Sequence, residues 1–244
     1  MLRVEGLTRS FSGFRALAGV DFQVEAGGVT AVIGPNGAGK TTLFNVLTGH
    51  LKPDSGRILF KNTDIAGARP HKVFRLGIAR SFQLTNVFNR LTVMENVQVA
   101  LLSREGRSGS LSRGAQAQCA ARARELLGRV GLDGCAEEMA GRLSYGDQKL
   151  LEISMALAGR PELLLLDEPT AGMSPEETAA TAGLIDRLRG EGVTVLFTEH
   201  DMDLVFGLAD KIVVLHQGCC IAQGAPGEVR EDALVQKAYL GVEA

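Results

Sequence analysis

Apolar positions recur along this chain with two periods, and the changes of period mark its elements. LRVEGLTRSF (2–11), VDFQVEAGG (20–28) and GRILFKN (56–62) alternate apolar with polar residues and end in turns, the last following the turn KPDSG. Each predicts a half-buried strand. VTAVIG (29–34), LLLLDE (163–168), VTVLFTEH (193–200) and KIVVLHQG (211–218) are instead continuous apolar runs, the pattern of strands buried on both faces of a parallel sheet. Helical patterns fall between them, beginning with KTTLFNVLTG (40–49). The expected core is therefore α/β with an antiparallel N-terminal β portion.

Residues 86–160 read differently. After a short strand that ends near Gln83 there is no strong strand run. SREGRSGSLSRG (103–114) is a polar, Gly/Ser-rich loop. AQAQCAARARELLGRVGL (115–132) and GDQKLLEISMALAG (146–159) read as helices, the second stopped by Gly159 and Pro161. The reading is one domain: residues 1–85 and 161–244 form the α/β core, and 86–160 form an inserted α-helical subdomain.

Composition narrows the class. Hydrophobic residues at 45% and charged residues at 22% are those of an ordinary globular protein. Lys plus Arg at 26 against Asp plus Glu at 28 leaves a net charge of −2, which carries no electrostatic footprint for nucleic acid. Arg122, Arg124 and Arg129 form a local basic run, read as a solvated helix face. No apolar run reaches the roughly 18 residues of a membrane span, and MLRVEGLTRSF has no apolar signal core, so the expectation is a cytosolic chain. Cys119, Cys135, Cys219 and Cys220 lack zinc-ligand or redox spacing and read as buried or idle thiols.

The chemistry concentrates at strand ends. Gly34-Pro35-Asn36-Gly37-Ala38-Gly39-Lys40-Thr41 fits GxxxxGK[ST] and stands between the strand VTAVIG and a helix that continues through Thr42. Its glycines allow successive N–H groups to turn onto phosphate oxygens, and the helix end adds partial positive charge. Lys40 is expected on the β- and γ-phosphates and Thr41 on Mg²⁺. Asp167 and Glu168 emerge at the C-terminal edge of a buried leucine strand, where open α/β sheets bind ligands. Asp167 fits the Mg²⁺ partner, and Glu168 is placed to orient or deprotonate water. Gln83 and His200 end two further strands and could reach the γ-phosphate, Gln83 towards Mg²⁺ or water. LSYGDQK (143–149) resembles a second phosphate loop: Ser144 can N-cap the following helix and Gly146 allows close backbone approach.

These residues, in this order, resemble the ATP-binding cassette (ABC) ATPases over essentially the whole chain. GPNGAGKT is similar to the Walker A loop, Gln83 to the Q-loop glutamine, LSYGDQ to the signature, LLLLDE to Walker B, Ala171-Gly172-Met173-Ser174 to the D-loop and His200 to the switch histidine. Phe11 falls where the family stacks an aromatic ring on adenine, with Phe14 the alternative. The fold implied is a P-loop NTPase (RecA-like) core. Departures are Tyr145 for a glycine, Asp147 for a glutamine and Ser174 for an aspartate. Ser174 also opens S-P-E-E, a capping box with Pro175 at the first helical position and Glu177 reaching back.

IARSFQLTNVFNRLTVMENV, LSYGDQKLLEIS, AGMSPEE, TEHDMDLVFGLADKIVVLHQG and VQKAYLG bring the resemblance closer to ATPase subunits of branched-chain (hydrophobic) amino acid importers. Urea and short-amide importers and lipopolysaccharide exporters have similar subunits, and a non-transport ABC ATPase is the alternative class. The resemblance implies an ATPase that uses ATP and Mg²⁺ and works at the cytoplasmic face of the cell membrane. It pairs head to tail with itself or a paralogue, docks on two membrane permease subunits and serves, indirectly, a periplasmic or extracellular binding protein. It implies no nucleic-acid partner. Catalysis falls to Glu168, His200 and Gln83, and metal binding to Thr41, Gln83 and Asp167. Nucleotide contacts fall to Phe11, Gly34 to Thr42, Ser144 and Gly146. Ser144, Gly146 and the helix end offer donors and partial positive charge but no metal ligand and no base, which suits a lid over the nucleotide of the other subunit. Val87, Phe88 and Leu91, within Leu84 to Leu102, are expected to face a helix of a membrane subunit.

Overall fold

The computed structural model describes residues 1–81, 87–105 and 113–240. Gln83 and Leu84, with the rest of 82–86, lie outside the described residues, as does most of the Gly/Ser-rich loop. A six-stranded sheet carries the fold, with β3 (Val29–Ile33), β6 (Ile78–Ser81), β7 (Leu163–Asp167), β8 (Thr194–Thr198), β9 (Lys211–His216) and β10 (Cys219–Gly224) in the order β10-β9-β3-β8-β7-β6. All its neighbours pair in parallel except β10, which runs antiparallel to β9. A smaller antiparallel sheet joins β2 (Phe14–Val24), β1 (Leu2–Phe11), β4 (Ser55–Phe60) and β5 (Thr63–Asp64). The α/β class expected from the sequence is the class observed.

Continuous apolar runs make two-sided strands because alternate residues enter different cores. On β7, Leu164 and Leu166 pack into one apolar cluster and Leu163 and Leu165 into the other. The first cluster holds the helices between β6 and β7: α3 (Val93–Glu105), α4 (Arg113–Val130) and α5 (Tyr145–Leu157). It also takes residues of α6 (Pro175–Gly190) and α7 (Met202–Leu208). The second lies between the sheets and takes Leu43, Phe44, Val46 and Leu47 of α1 (Lys40–Leu47) and Val73 of α2 (Pro70–Arg75). The chain closes with α8 (Pro226–Glu231) and α9 (Ala233–Leu240). Among the described residues no helix is long and apolar enough to cross a membrane.

Three details differ from the sequence reading. β2 begins at Phe14, not Val20, because Ser12 and Gly13 both take positive φ (46° and 89°) and close a tight hairpin. β10 follows another such turn, at Gln217 and Gly218 (φ 47° and 77°). Of the three apolar residues expected at the surface, Phe88 is exposed, whereas Val87 packs on the core and Leu91 is half-buried. Cys219 is exposed and Cys119, Cys135 and Cys220 are half-buried.

Candidate functional site

Because β3, β7 and β8 are parallel neighbours, their C-terminal ends meet at one edge, and the segments leaving them build the site. β3 leads into the glycine loop. Gly37 and Gly39 have φ of 81° and 106°, and a Cβ on Gly39 would lie 2.5 Å from the Ala16 carbonyl oxygen. Only glycine fits there. A cleft of about 350 Å³ opens over this loop, lined by Phe11, Phe14, Ala16, Asn36 to Thr42 and Glu168, within the size range of small-ligand pockets. Gly34 and Pro35 precede these residues and do not line it. Gly34 has φ 156° and packs against the Leu215 carbonyl. Lys40 Nζ donates to the carbonyl oxygens of Gly34 (2.5 Å) and Pro35 (3.3 Å). Burial pushes the Lys40 ammonium below its usual range, while Glu168 and Asp167 pull it back up.

Asp167 and Thr198 stand opposite one another in the ladder, and Thr198 Oγ1 donates to Asp167 Oδ1 at 2.8 Å. The other carboxylate oxygen accepts from Arg80 Nη2 at 2.7 Å. Glu168 follows with φ 48°, a left-handed conformation uncommon for a side chain of this kind. Its amide donates to Thr198 O and Thr198 Oγ1, both at 3.1 Å, which pins that turn. The His200 ring nitrogen Nε2 lies 3.1 Å from Glu168 Oε1. Glu199, buried beside it, accepts from the Thr170 amide (2.8 Å), the Thr170 hydroxyl (2.6 Å) and the His200 amide (3.1 Å). Thus one acid ties the segment after Glu168 to the segment carrying His200.

Phe11 and Phe14 face each other across the hairpin turn at the cleft mouth. Arg9 stacks on the Phe11 ring with 4.9 Å between its guanidinium and the centroid, whereas Phe14 is 65% exposed. Ser144 and Gly146 do not line this cleft. Ser144 caps α5, accepting from the Asp147 amide at 3.0 Å and donating its hydroxyl proton to Asp147 Oδ2 at 2.9 Å. Gly146 is buried, and a Cβ there would collide with the Glu177 carboxylate of α6.

The structure thus gathers Phe11, the loop 34–42, Asp167, Glu168 and His200, and leaves Ser144 and Gly146 on a separate surface. Sequence reasoning missed Arg80, Thr170, Thr198 and Glu199. The charges among them could have been noticed: Arg80 lies in IARS and Glu199 at the end of VTVLFTE, and a charge in an apolar strand needs a buried partner.

The oxygen donors fit a magnesium ion. The Thr41 hydroxyl at the start of α1 and the Asp167 carboxylate are hard ligands, with phosphate and water left to supply the rest.

The family description "ABC transporter" matches residues 17–171, and "Branched-chain amino acid ATP-binding cassette transporter" matches residues 219–244. The chain is 43% identical to the high-affinity branched-chain amino acid transport ATP-binding protein BraF of Pseudomonas aeruginosa, over 99% of this chain and 98% of that one. It is 40% identical to LivG of Escherichia coli K12, a protein of the same description, with the same coverage. Among solved structures it resembles a nucleotide-free ATP-binding cassette from an ABC transporter, with TM-score 0.87 and 34% identity over 99% of each chain. The P-loop cleft, the strand-end acids and these full-length likenesses agree: the chain belongs to the ABC transporter family, as an ATP-binding, ATP-hydrolysing subunit.

Proposed function

We propose that this chain powers uptake of branched-chain or related hydrophobic amino acids, with Glu168 as the base that activates water. The observation that carries the chemistry is the Glu168–His200 pair at the mouth of the glycine-loop cleft. The importer reading is supported by the 43% identity to a branched-chain amino acid transport ATP-binding protein along nearly the whole chain.

In this reading the loop from Gly34 to Thr42 holds the triphosphate through its backbone N–H groups, Pro35 having none to offer, Lys40 leaves its loop carbonyls for the β- and γ-phosphates, and Phe11, with Phe14 beside it, stacks on adenine. Thr41 and Asp167 would hold Mg²⁺. When bound, the ion offsets charge on the phosphate oxygens. Gln83 is assigned to the metal or the attacking water by its place after β6. Glu168 takes a proton as the water oxygen bonds to the γ-phosphorus and the bond to the bridging oxygen breaks, leaving ADP. The His200 N–H holds the Glu168 carboxylate until the γ-phosphate arrives to accept from it. Ser144 and Gly146 close the nucleotide of a second subunit, itself or a paralogue.

The helical segment 86–160 docks on the two permease subunits at the cytoplasmic face of the membrane, and the binding protein is reached through them. Phe88, 51% exposed, is the apolar contact there. The test is labelled leucine uptake by cells lacking this chain. The wild-type sequence should restore uptake. Glu168→Gln should not, and its ATPase rate should fall by about 10²–10⁴-fold with MgATP binding intact. Phe88→Asp should hydrolyse ATP alone yet fail to restore uptake. Wild-type turnover by Glu168→Gln removes that residue from the mechanism, and unchanged leucine uptake without the chain refutes the cargo.

A further inference from the structure

Two of the residues assigned to the metal, Thr41 and Asp167, come from elements that share no covalent connection nearby. Thr41 is on α1 and Asp167 ends β7. Between them lies Arg80, on the edge strand β6, whose side chain is only 5% exposed. Its Nη2 donates to Asp167 Oδ2 at 2.7 Å, and its Nη1 donates to Asn45 Oδ1 at 2.7 Å and reaches Thr48 Oγ1 at 3.4 Å. The guanidinium carbon lies 5.6 Å from the centroid of the Phe44 ring. Asn45 is four residues beyond Thr41, and Thr48 three beyond that, so all three share one face of α1. The guanidinium therefore joins the Asp167 carboxylate to the helical turn next to Thr41. Burial first, and then the charge of Arg80, hold the neighbouring His50 below its usual range. The imidazole touches Thr48 Oγ1 at 3.0 Å.

We propose that Arg80 is a positioning residue for the magnesium site: its planar fork fixes the distance between the P-loop helix and the Asp167 carboxylate. Thr198 holds Asp167 Oδ1 and Arg80 holds Oδ2, so the orientation of the carboxylate is set before nucleotide arrives. A lysine would keep the charge but offers one nitrogen where the fork offers two directed ends, so it cannot hold Asn45 and Asp167 together. This inference rests on the assignment of Asp167 to the metal.

The experiment titrates Mg²⁺ against binding of a fluorescent ATP analogue to the full chain, with an EDTA arm. It compares wild type, Arg80→Lys, Arg80→Gln and, as the reference for the assignment, Asp167→Asn. Thermal unfolding of each variant identifies those that remain folded, and Arg80→Gln, which keeps a neutral donor, serves should the lysine variant not fold. Both Arg80 variants should bind the analogue in EDTA within about twofold of wild type, yet require about 10- to 100-fold more Mg²⁺ for half-maximal tightening. A wild-type Mg²⁺ titration in both variants, with Asp167→Asn losing its response, overturns the role of Arg80 and spares that of Asp167. Equal weakening with and without Mg²⁺ overturns it too, since a general structural role predicts that. A normal Mg²⁺ response in Asp167→Asn removes the metal assignment itself, and this inference with it.

Discussion

Two helices of this chain begin at loops that look alike in sequence and differ in physics. α1 starts after Gly39 with no side-chain cap and no acid in its first turn. Its open amides and the Lys40 ammonium face a cleft, which is what a bound triphosphate requires. α5 starts after Ser144, and its end is already occupied. Ser144 caps it, Asp147 sits in the first turn and takes the Ser144 hydroxyl proton, and the Glu177 carboxylate rests on Gly146. The buried ammonium nearest this end, Lys149 in the second turn, is held below its usual range by burial, against Glu152 and the strand-end acids. A helix end so furnished attracts an anion weakly. The proposed lid needs that behaviour, since it is to close only over a phosphate that another site already holds, and this gives the Tyr145 and Asp147 departures a context. Tyr145 packs on the Gly172 turn, and Asp147 satisfies the cap within the chain.

The largest effect that separates the two helix ends comes from mixing subunits. Lys40→Ala damages the site at α1 and Ser144→Arg blocks the lid at α5, and each variant alone should fail to occlude nucleotide. If the lid acts in trans, a mixed dimer places both lesions in one site and leaves the other whole. About one occluded nucleotide per mixed dimer is then expected, since one of its two sites is intact. ATP-dependent crosslinking and nucleotide counting measure it without relying on turnover. No occlusion from two folded, correctly paired variants would sink the lid reading.

A smaller effect tests the charge argument. Asp147→Gln removes an acid from the first turn of α5 and releases the Ser144 hydroxyl proton for another acceptor. A unit charge at a helix N-terminus is worth about 0.3–1 kcal/mol. ATP-driven dimerisation, followed by sedimentation in a hydrolysis-deficient background, should therefore tighten by about two- to fivefold per site. Unchanged or weaker association would show that Asp147 does not hold the lid back.

The same contrast explains what the sequence made legible. The glycine loop could be read because its requirements are local: positive φ at Gly37 and Gly39, a buried strand before, a helix after. Asp167 and Glu168 were legible because four leucines place them at a strand end. The caps of Ser144 and Ser174 span three residues and were legible for the same reason. What escaped depends on distant partners. Arg80 finds Asp167 across 87 positions, and Glu199 finds Thr170 across 29. Glu177 covers Gly146 only because α5 and α6 pack together. The early start of β2 escaped because the apolar alternation there is broken by Gly19 and by the tight turn at Ser12 and Gly13.

The smallest effect concerns the other side of that packing, the start of α6. Ser174 Oγ accepts from the Glu177 amide at 3.2 Å, and Glu177 Oε2 accepts from the Ser174 amide at 2.8 Å, a complete capping box with Pro175 at the first helical position. Ser174→Ala removes the first bond and loosens the second, so the chain should lose about 1 kcal/mol of stability. For a domain of this size that is about 2–4 °C in Tm. Loosening Glu177 also frees the carboxylate that lies over Gly146, so nucleotide-driven dimerisation should not weaken and can only gain. Ser174→Asp separates the roles of this position. Aspartate caps as well as serine, so Tm should stay within about 1 °C of wild type by the same conversion, and any change in ATPase rate then belongs to the D-loop position rather than to the cap. An unchanged Tm in Ser174→Ala, by calorimetry or by far-UV circular dichroism on heating, would show that α6 does not depend on its cap. It would leave Glu177 held by α5 alone, tying the lid to α6 through the packing at Gly146 instead of through the capping box.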